Sequence, residues 1–468
     1  MIEKNKSRVL DMTKGSPFHL LLMFALPLFV GNLLQQFYNL ADTSIAGHIL
    51  GDQALAEIGA TSALYSLITN FAFGLNNGFA LNVSRFFGAG DETNMKKAVC
   101  WMVTLSGAFA AVLTVCLLIG RQPILQFQQI PEETMEGALS YLTVILAGIP
   151  LSMAYNLEAA LLQAVGNSVT PLLLLLFSSV LNVILDVWFM GPLHMGVQGA
   201  AIATVLAQGI SAVLGFLYIW KKYQELRFGK EQWKASPGFI TDMLGMGLSM
   251  AFMNAIYNIG SVLLQGSINA LGNVYIAAQV GGRRLAEFFY VPGLAIGTSV
   301  ATYTSQNYGA DKRNRIGKGI RTAIIMYGVW WLAAVVFTFT LAPSAVRLIT
   351  GSTSSQVIEN GVLYLKISIP MVPPMAVLVI LRNALQGMKH SMLPLFCSTL
   401  ELIGKVIFAL WIVPAKGYLA VCVCEPVTWV ICMLVIVAGA LWFKSDFRDS
   451  VPEAGRSVCF AGISDNEK

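Results

Sequence analysis

Charge is what this chain has least of: of 468 residues, 30 are basic, 25 acidic and 4 histidine. A polypeptide in which 56% of residues are hydrophobic and so few are charged is neither disordered nor a water-soluble globule, since it has more apolar side chains than a core of this size takes up. Lipid must be the solvent for the remainder. Histidine is equally uninformative as chemistry, because His19, His48, His194 and His390 fall at the ends of apolar runs. No metalloprotease, phosphate-loop or dinucleotide-binding pattern occurs, so the chain is not expected to be an enzyme or to need a cofactor. Cys100, Cys116, Cys397, Cys422, Cys424 and Cys432 lie inside apolar runs, where a thiol packs as a small hydrophobe, and Cys459 lies in a polar tail. Neither a disulfide nor a structural metal site is expected. The polar start, 1–17, leads directly into a run too long for a signal-peptide core, so no cleavable leader is expected.

What is present is apolar length. A hydrocarbon layer of roughly 30 Å takes about 20 helical residues, and such runs recur between Phe18 and Phe443. The predicted spans are 18–47, 54–87, 98–120, 136–164, 171–191, 197–220, 239–271, 274–308, 317–342, 357–387, 393–414 and 418–443. These runs lack the two-residue alternation of barrel strands, and backbone polar groups in lipid must bond internally, so the expected fold is all-α with twelve transmembrane helices.

Lys4, Lys6, Arg8 and Lys14 precede the first span, and Arg85, Lys96 and Lys97 lie between the second and third. Lys221, Lys222, Arg227, Lys230 and Lys234 fill the sixth-to-seventh connection, and Lys312, Arg313, Arg315, Lys318 and Arg321 the eighth-to-ninth. The opposite loops offer little beyond Arg121, Arg347 and Lys416. Both termini are therefore expected in the cytoplasm, on a multi-pass protein of the inner (plasma) membrane. This bias accounts for the net charge of +5, so membrane lipids and not nucleic acid are the expected surroundings.

Folding the sequence over at the basic linker reveals a repeat. Gly74-Leu75-Asn76-Asn77-Gly78 followed by Gly88-Ala89-Gly90-Asp91 has a counterpart in Gly293-Leu294-Ala295-Ile296-Gly297 followed by Gly309-Ala310-Asp311. Asn32, Gln36, Asn39 and Thr43 on the first span match Asn254, Asn258, Ser261 and Gln265 on the seventh, with the same steps of four, three and four. Each set shares one helical face, and a polar stripe in lipid must meet a partner helix or a watery cavity. The expected organisation is a cytoplasmic N-terminus (1–17), a six-helix lobe (18–220), a cytoplasmic linker (221–238), a second six-helix lobe (239–443) and a cytoplasmic tail (444–468). An even number of spans per half relates the lobes by an axis along the membrane normal, an arrangement suited to rocking by a single copy. Candidate residues for a small-molecule cavity between them are Gln35, Gln36, Asn39, Asn254, Tyr257, Asn258, Gln265 and Glu287. Pro27, Pro150, Pro292, Pro370, Pro373, Pro374 and Pro426 interrupt spans. Pro27 stands out as a hinge, because it comes just before the polar stripe.

Acids at membrane depth cost several kcal/mol if ionised and unpaired. Five draw attention: Asp42, Asp186, Glu287, Glu401 and Glu425. Glu287 follows Arg283 and Arg284 by one turn and Glu401 precedes Lys405 by one turn, which makes both look like structural ion pairs. Glu425, before Pro426, has no charged neighbour on its own helix. Asp186 follows Asn182 by one turn, placing an amide and a carboxylate on one side of the fifth span. Asp42 continues the face of Gln35 and Asn39 and can supply a second carboxylate. Two such groups close together need a cation, a proton or a sodium ion, to share the site.

With these motifs, Ala25-Leu26-Pro27 through Asp42, Gly88-Ala89-Gly90-Asp91, Gly166-Asn167 with Pro171, Asn182 through Asp186, Gly199-Ala200-Ala201-Ile202-Ala203-Thr204, Gln306-Asn307-Tyr308-Gly309-Ala310 and Glu425-Pro426, the chain resembles the MATE (multidrug and toxic compound extrusion) transporters of the bacterial multidrug branch. The resemblance runs from about Lys14 to Phe443. It implies two six-helix bundles in a V, export of drugs or metabolites by alternating access, and coupling to inward flow of protons or sodium. It also implies a cation site in the first lobe, carried over onto Asp42, Asn182, Asp186 and Thr204, with sodium as the only metal. Some members carry acidic ligands in the seventh and tenth helices, but none occurs here in 243–285 or 361–387. The competing reading is a flippase for a lipid-linked saccharide. A polyanionic cargo wants free basic groups in the cavity, and the candidates inside spans are Arg283, Arg284, Lys366 and Lys405. Phe37, Tyr38, Tyr257, Phe288 and Phe289 suit an amphipathic organic cation instead.

Overall fold

The computed structural model describes residues 9–447, which places Lys4, Lys6, Arg8, Cys459 and most of the tail outside the described residues. Its helices are α1 (Pro17–Leu50), α2 (Asp52–Ala89), α3 (Glu92–Phe127), α4 (Glu132–Ala147), α5 (Ile149–Ala164), α6 (Val169–Met190) and α7 (Gly196–Lys222). After two short 3-10 turns follow α8 (Pro237–Asn269), α9 (Asn273–Gly309), α10 (Arg313–Thr340), α11 (Ala342–Thr350), α12 (Ser355–Ser368) and α13 (Val372–Gly387). Then come α14 (Met392–Ile407), one π turn, α15 (Val413–Lys416) and α16 (Tyr418–Trp442). No strand occurs among the described residues.

Ten helical segments are long and apolar enough to cross a membrane, and two bent pairs bring the number to twelve. α4 and α5 meet at 48° around Gly148, just before Pro150, and α12 and α13 at 53° around Pro370. A proline leaves one carbonyl without its amide donor, and the chain bends where that partner is missing. Pro27, Pro292 and Pro426 instead lie inside continuous helices. The short helix α11 was not expected from the sequence, which placed a loop there.

Each half packs around its own apolar core, the first rich in Leu75, Phe79, Met102, Leu142 and Leu162, the second in Val300, Tyr303, Leu365, Leu385 and Cys422. Two helices reach across: α8 sends Met243 and Ala251 into the first core, and α1 joins the second. Leu20, Leu21, Phe24 and Ala25, before Pro27, join the core of the second lobe, and Phe29 meets Trp330 of α10 edge-on. Beyond Pro27, α1 packs against α6, with Gly31 facing Leu172 and Leu175.

The lobes meet tightly at the end that carries Gly90-Asp91 and Asp311-Lys312. Ser84 Oγ donates to the carbonyl of Thr302 and Ser305 Oγ to that of Leu81. Segment 10–15 is wedged into this seam. The Leu10 amide donates to the Gly166 carbonyl, the Met12 amide to Gln306 Oε1, and Asn307 Nδ2 to the Met12 carbonyl. Further along, Asn254 Nδ2 of α8 donates to the Asn70 carbonyl of α2 at 3.2 Å. Toward the other end the seam loosens, and Phe37 and Leu40 stand about two-thirds exposed (67% and 68%).

Candidate functional site

The first lobe encloses the carboxylate pair. Asp186 and Asn182 are buried on the inner side of α6, with relative exposures of 0% and 1%. With its amide nitrogen turned to the carboxylate, Asn182 donates to Asp186 Oδ2 at 2.8 Å and accepts from Thr204 Oγ1 of α7 at 3.3 Å. Asp42 enters from α1, and its carboxyl comes within hydrogen-bonding reach of that of Asp186. Oδ1 of each aspartate is enclosed and has no hydrogen-bond partner. Two carboxylates at this separation in a low-dielectric surrounding cannot both carry an uncompensated charge. The two orphaned carboxylate oxygens are hard donors, which fit a proton or a sodium ion and not a soft metal, while the Asn182 oxygen is taken by Thr204.

Tyrosines close the site. The Tyr38 hydroxyl bonds Thr204, Tyr141 lies near both aspartates and Tyr65 near Asp42. Tyr65 also bonds Gln208, which pairs with Ser152 Oγ. Below Tyr65 is a cavity of about 20 Å³ lined by Thr69, Ser152 and Asn156, room for one water. Sequence reasoning treated Tyr38 as cavity wall and did not single out Tyr65, Tyr141 or Gln208. Tyr38 and Gln208 had a signal: each lies one helical turn from a residue already chosen, Asp42 and Thr204.

The remaining candidates scatter. Gln35 Nε2 donates to Asn39 Oδ1 within α1, and Gln265 Nε2 to Asn269 Oδ1 within α8. Gln36 is exposed with no partner in its own helix or elsewhere that would place it at a site. Asn254 and Asn258 lie at the α2–α8 seam, where Asn258 Oδ1 accepts from Ser66 Oγ at 3.5 Å, so they hold the lobes together. In the second lobe, Arg283 pairs with Glu287 at 3.1 Å and reaches Glu425 at 3.9 Å, and the Tyr364 hydroxyl donates to Glu425 at 3.2 Å. Glu425, without a neighbour on its own helix, is thus served by two others. Glu401 lies between Lys405 at 3.1 Å and Arg382 at 3.6 Å, and the Lys405 ammonium sits 4.3 Å from the Tyr257 ring centre. Among the charges that escaped the reading of the sequence are Glu57 inside the second predicted span, Glu158 inside the fourth and Arg382 inside the tenth; the two glutamates are buried and Arg382 is half-buried.

The MatE family model matches residues 27–188 and, a second time, residues 249–411. The chain belongs to the MatE family. The double match coincides with the internal repeat, each copy covering most of one lobe. Among curated relatives, the probable multidrug resistance protein YpnP of Bacillus subtilis (strain 168) is 27% identical over 309 residues, covering 65% of this chain and 68% of YpnP. An FAD transporter of Shewanella oneidensis is 24% identical over 391 residues, covering 82% and 85%. Among solved structures, an outward-facing multidrug resistance MATE family transporter superposes with a TM-score of 0.86 at 21% identity, covering 96% of this chain and all (100%) of that one. This MatE protein therefore has the family's two-lobed, V-shaped helical fold, and its relatives are transporters.

Proposed function

We propose that this protein is a cation-coupled antiporter of the plasma membrane that exports amphipathic organic cations by alternating access, as a single copy with both termini in the cytoplasm. The observation that carries the reading is the pair of half-buried Asp42 and buried Asp186, with the buried Asn182 and Thr204 beside them, on three different helices of the first lobe. A proton or sodium ion entering from outside cancels one of the pair's two negative charges and so removes the repulsion between them. That changes what α1 gains by packing on α6, and Pro27, one turn before α1 meets α6 at Gly31, is the place where it bends or shifts. Cargo and ion then favour different states and exchange through differential affinity.

The FAD transporter among the relatives and the saccharide flippase both speak for an anionic cargo. Such a cargo would need basic groups free to meet it, whereas Arg283, Arg382 and Lys405 each face a carboxylate and Lys366 lies over the Phe339 ring, which leaves Arg284 as the one in-span candidate without such a partner among the described residues. That pairing favours the cationic reading. The deciding experiment is uptake of a fluorescent organic cation into everted vesicles, with pH and sodium gradients imposed separately, for wild type and Asp42→Asn. Gradient-driven uptake that disappears in the variant supports ion-coupled export and names the ion. Undiminished uptake by Asp42→Asn overturns the role of the pair, and no uptake across a panel of cations moves the reading to an anionic cargo.

A further inference from the structure

A second buried carboxylate lies outside the aspartate site. Glu158 of α5 is 7% exposed, and its Oε2 has neither a hydrogen-bond partner nor a cation beside it. Gly215 of α7 leaves the space into which this oxygen projects, and any Cβ at 215 would overlap it. Glu158 lines a cavity of about 540 Å³ between α3, α5 and α7, within the range that takes drug-sized ligands. The other walls are almost wholly apolar: Val103, Gly107 and Ala111 of α3, Ala154 and Leu157 of α5, and Phe216 and Trp220 of α7. Phe216 and Trp220 are half exposed on the outer face of the lobe, so the cavity opens toward lipid and away from the seam. Arg227 also lines it but is engaged elsewhere, donating to the Trp220 carbonyl and lying 5.0 Å from the Trp220 ring centre.

We infer that this cavity is a second binding site, for an amphipathic organic monocation that enters from the lipid, with Glu158 as its counter-ion. An unpaired carboxylate in an apolar pocket is costly unless a cation joins it, and the room beside Glu158 exceeds what a proton or a water needs. Aromatic faces at the mouth attract a cation on its way in, and the apolar walls take its body. Glu158 lies six residues, about 9 Å, inside the end of α5, and Leu226, Arg227 and Phe228 of the linker close the same cavity, so an aminolipid is the competing occupant that the test has to separate from a free organic cation. The inference concerns binding and does not depend on the transport reaction proposed above.

The test is photolabelling of the full-length protein in nanodiscs of phosphatidylglycerol, which has no ammonium. The probes are a diazirine-bearing alkyltrimethylammonium and its neutral alcohol counterpart, with label located on α3, α5 and α7 peptides. The cationic probe should label these peptides at least tenfold above the neutral one in wild type and in Asp42→Asn, and fall to the neutral level in Glu158→Gln. Ala111→Phe fills the cavity from an exposed position that tolerates the larger side chain, and it should also lose the label with Glu158 intact. Equal labelling by the two probes, retention of label in either Glu158→Gln or Ala111→Phe, or dependence on the aspartate pair overturns the inference. So does an arm with phosphatidylethanolamine in the discs, if that lipid abolishes labelling and stays with the wild-type protein in mass spectra of the intact complex.

Discussion

Gly88 of α2 lies against the backbone of Gln306 of α9, so close that a Cβ at position 88 would overlap the Gln306 carbonyl. The relation is reciprocal across the repeat, since Gly309 lies in the same way against the Arg85 carbonyl. These glycines let the two lobes touch backbone to backbone at one end, and under the alternating access proposed above that contact is what a rocking motion would break and remake. Backbone cannot give way as a flexible side chain does, so even one added methyl must separate the helices. Gly88→Ala should weaken export severalfold and Gly88→Leu abolish it, with expression retained. In hydrogen exchange, amides in 84–88 and 302–309 should lose protection in the same order.

Segment 10–15 latches the same end. Arg315 Nε donates to Asn307 Oδ1 at 2.9 Å, and its terminal nitrogen donates to the Gly15 carbonyl at 2.9 Å and the Met12 carbonyl at 3.4 Å. Hydrogen bonds from a charged donor contribute about 1.5–3 kcal/mol each, so Arg315→Ala should free the segment without unfolding the lobes. Faster exchange confined to amides 10–15, with an unchanged melting transition of the remainder, is the expected outcome.

The latch has its own pH dependence. Burial raises the Asp11 pKa, but the Thr13 amide and hydroxyl donating at 3.0 and 2.6 Å, and Lys14 at 3.2 Å, outweigh it and leave the carboxyl below its ordinary value. A depressed folded-state value means stability that is present above the unfolded carboxyl value of about 3.9 and lost as the pH falls through the folded one. Protection of amides 11–14 should be flat above about pH 4 and decline below it, and Asp11→Asn should remove that decline.

Asn182 ties Asp186 on α6 to Thr204 on α7. It is the donor to Asp186 and the acceptor from Thr204, so Asn182→Ala leaves Asp186 without its amide partner while keeping both carboxylates. The apparent affinity for the coupling ion should shift about tenfold, the size of one lost charge-assisted hydrogen bond of about 1.4 kcal/mol. Transport rate against proton or sodium concentration in vesicles is the measurement, and an unchanged half-saturation point would show that Asn182 is only packing.

In the second lobe the Glu401–Lys405 pair is buried, with Lys405 1% exposed. Breaking a buried pair from one side typically costs about 3–5 kcal/mol, whereas replacing both members is often neutral. Lys405→Met should therefore lower the melting temperature in detergent markedly, and Lys405→Met with Glu401→Gln should recover most of it.

The amino-acid sequence by itself determined the solvent, the helical class and the two-fold plan. Those follow from local quantities: the length of apolar runs, the absence of two-residue alternation, and motifs repeated at matching intervals. It also singled out Asp42 and Asp186, because a carboxylate in lipid must be explained by whatever else lies on its own helical face. What it could not supply were partners on other helices. Glu425 looked solitary until α9 and α12 brought Arg283 and Tyr364 to it, and the polar stripe of α8 proved to face α2 through Asn254 and Asn258. Only the packing showed that α1 divides its contacts between the lobes just beyond Pro27, and that Glu158 and Phe216, 58 residues apart, line one cavity. Periodicity reports which side chains share a face of one helix; which faces then meet is decided by side-chain volume across the whole bundle, and the tertiary structure alone holds that sum.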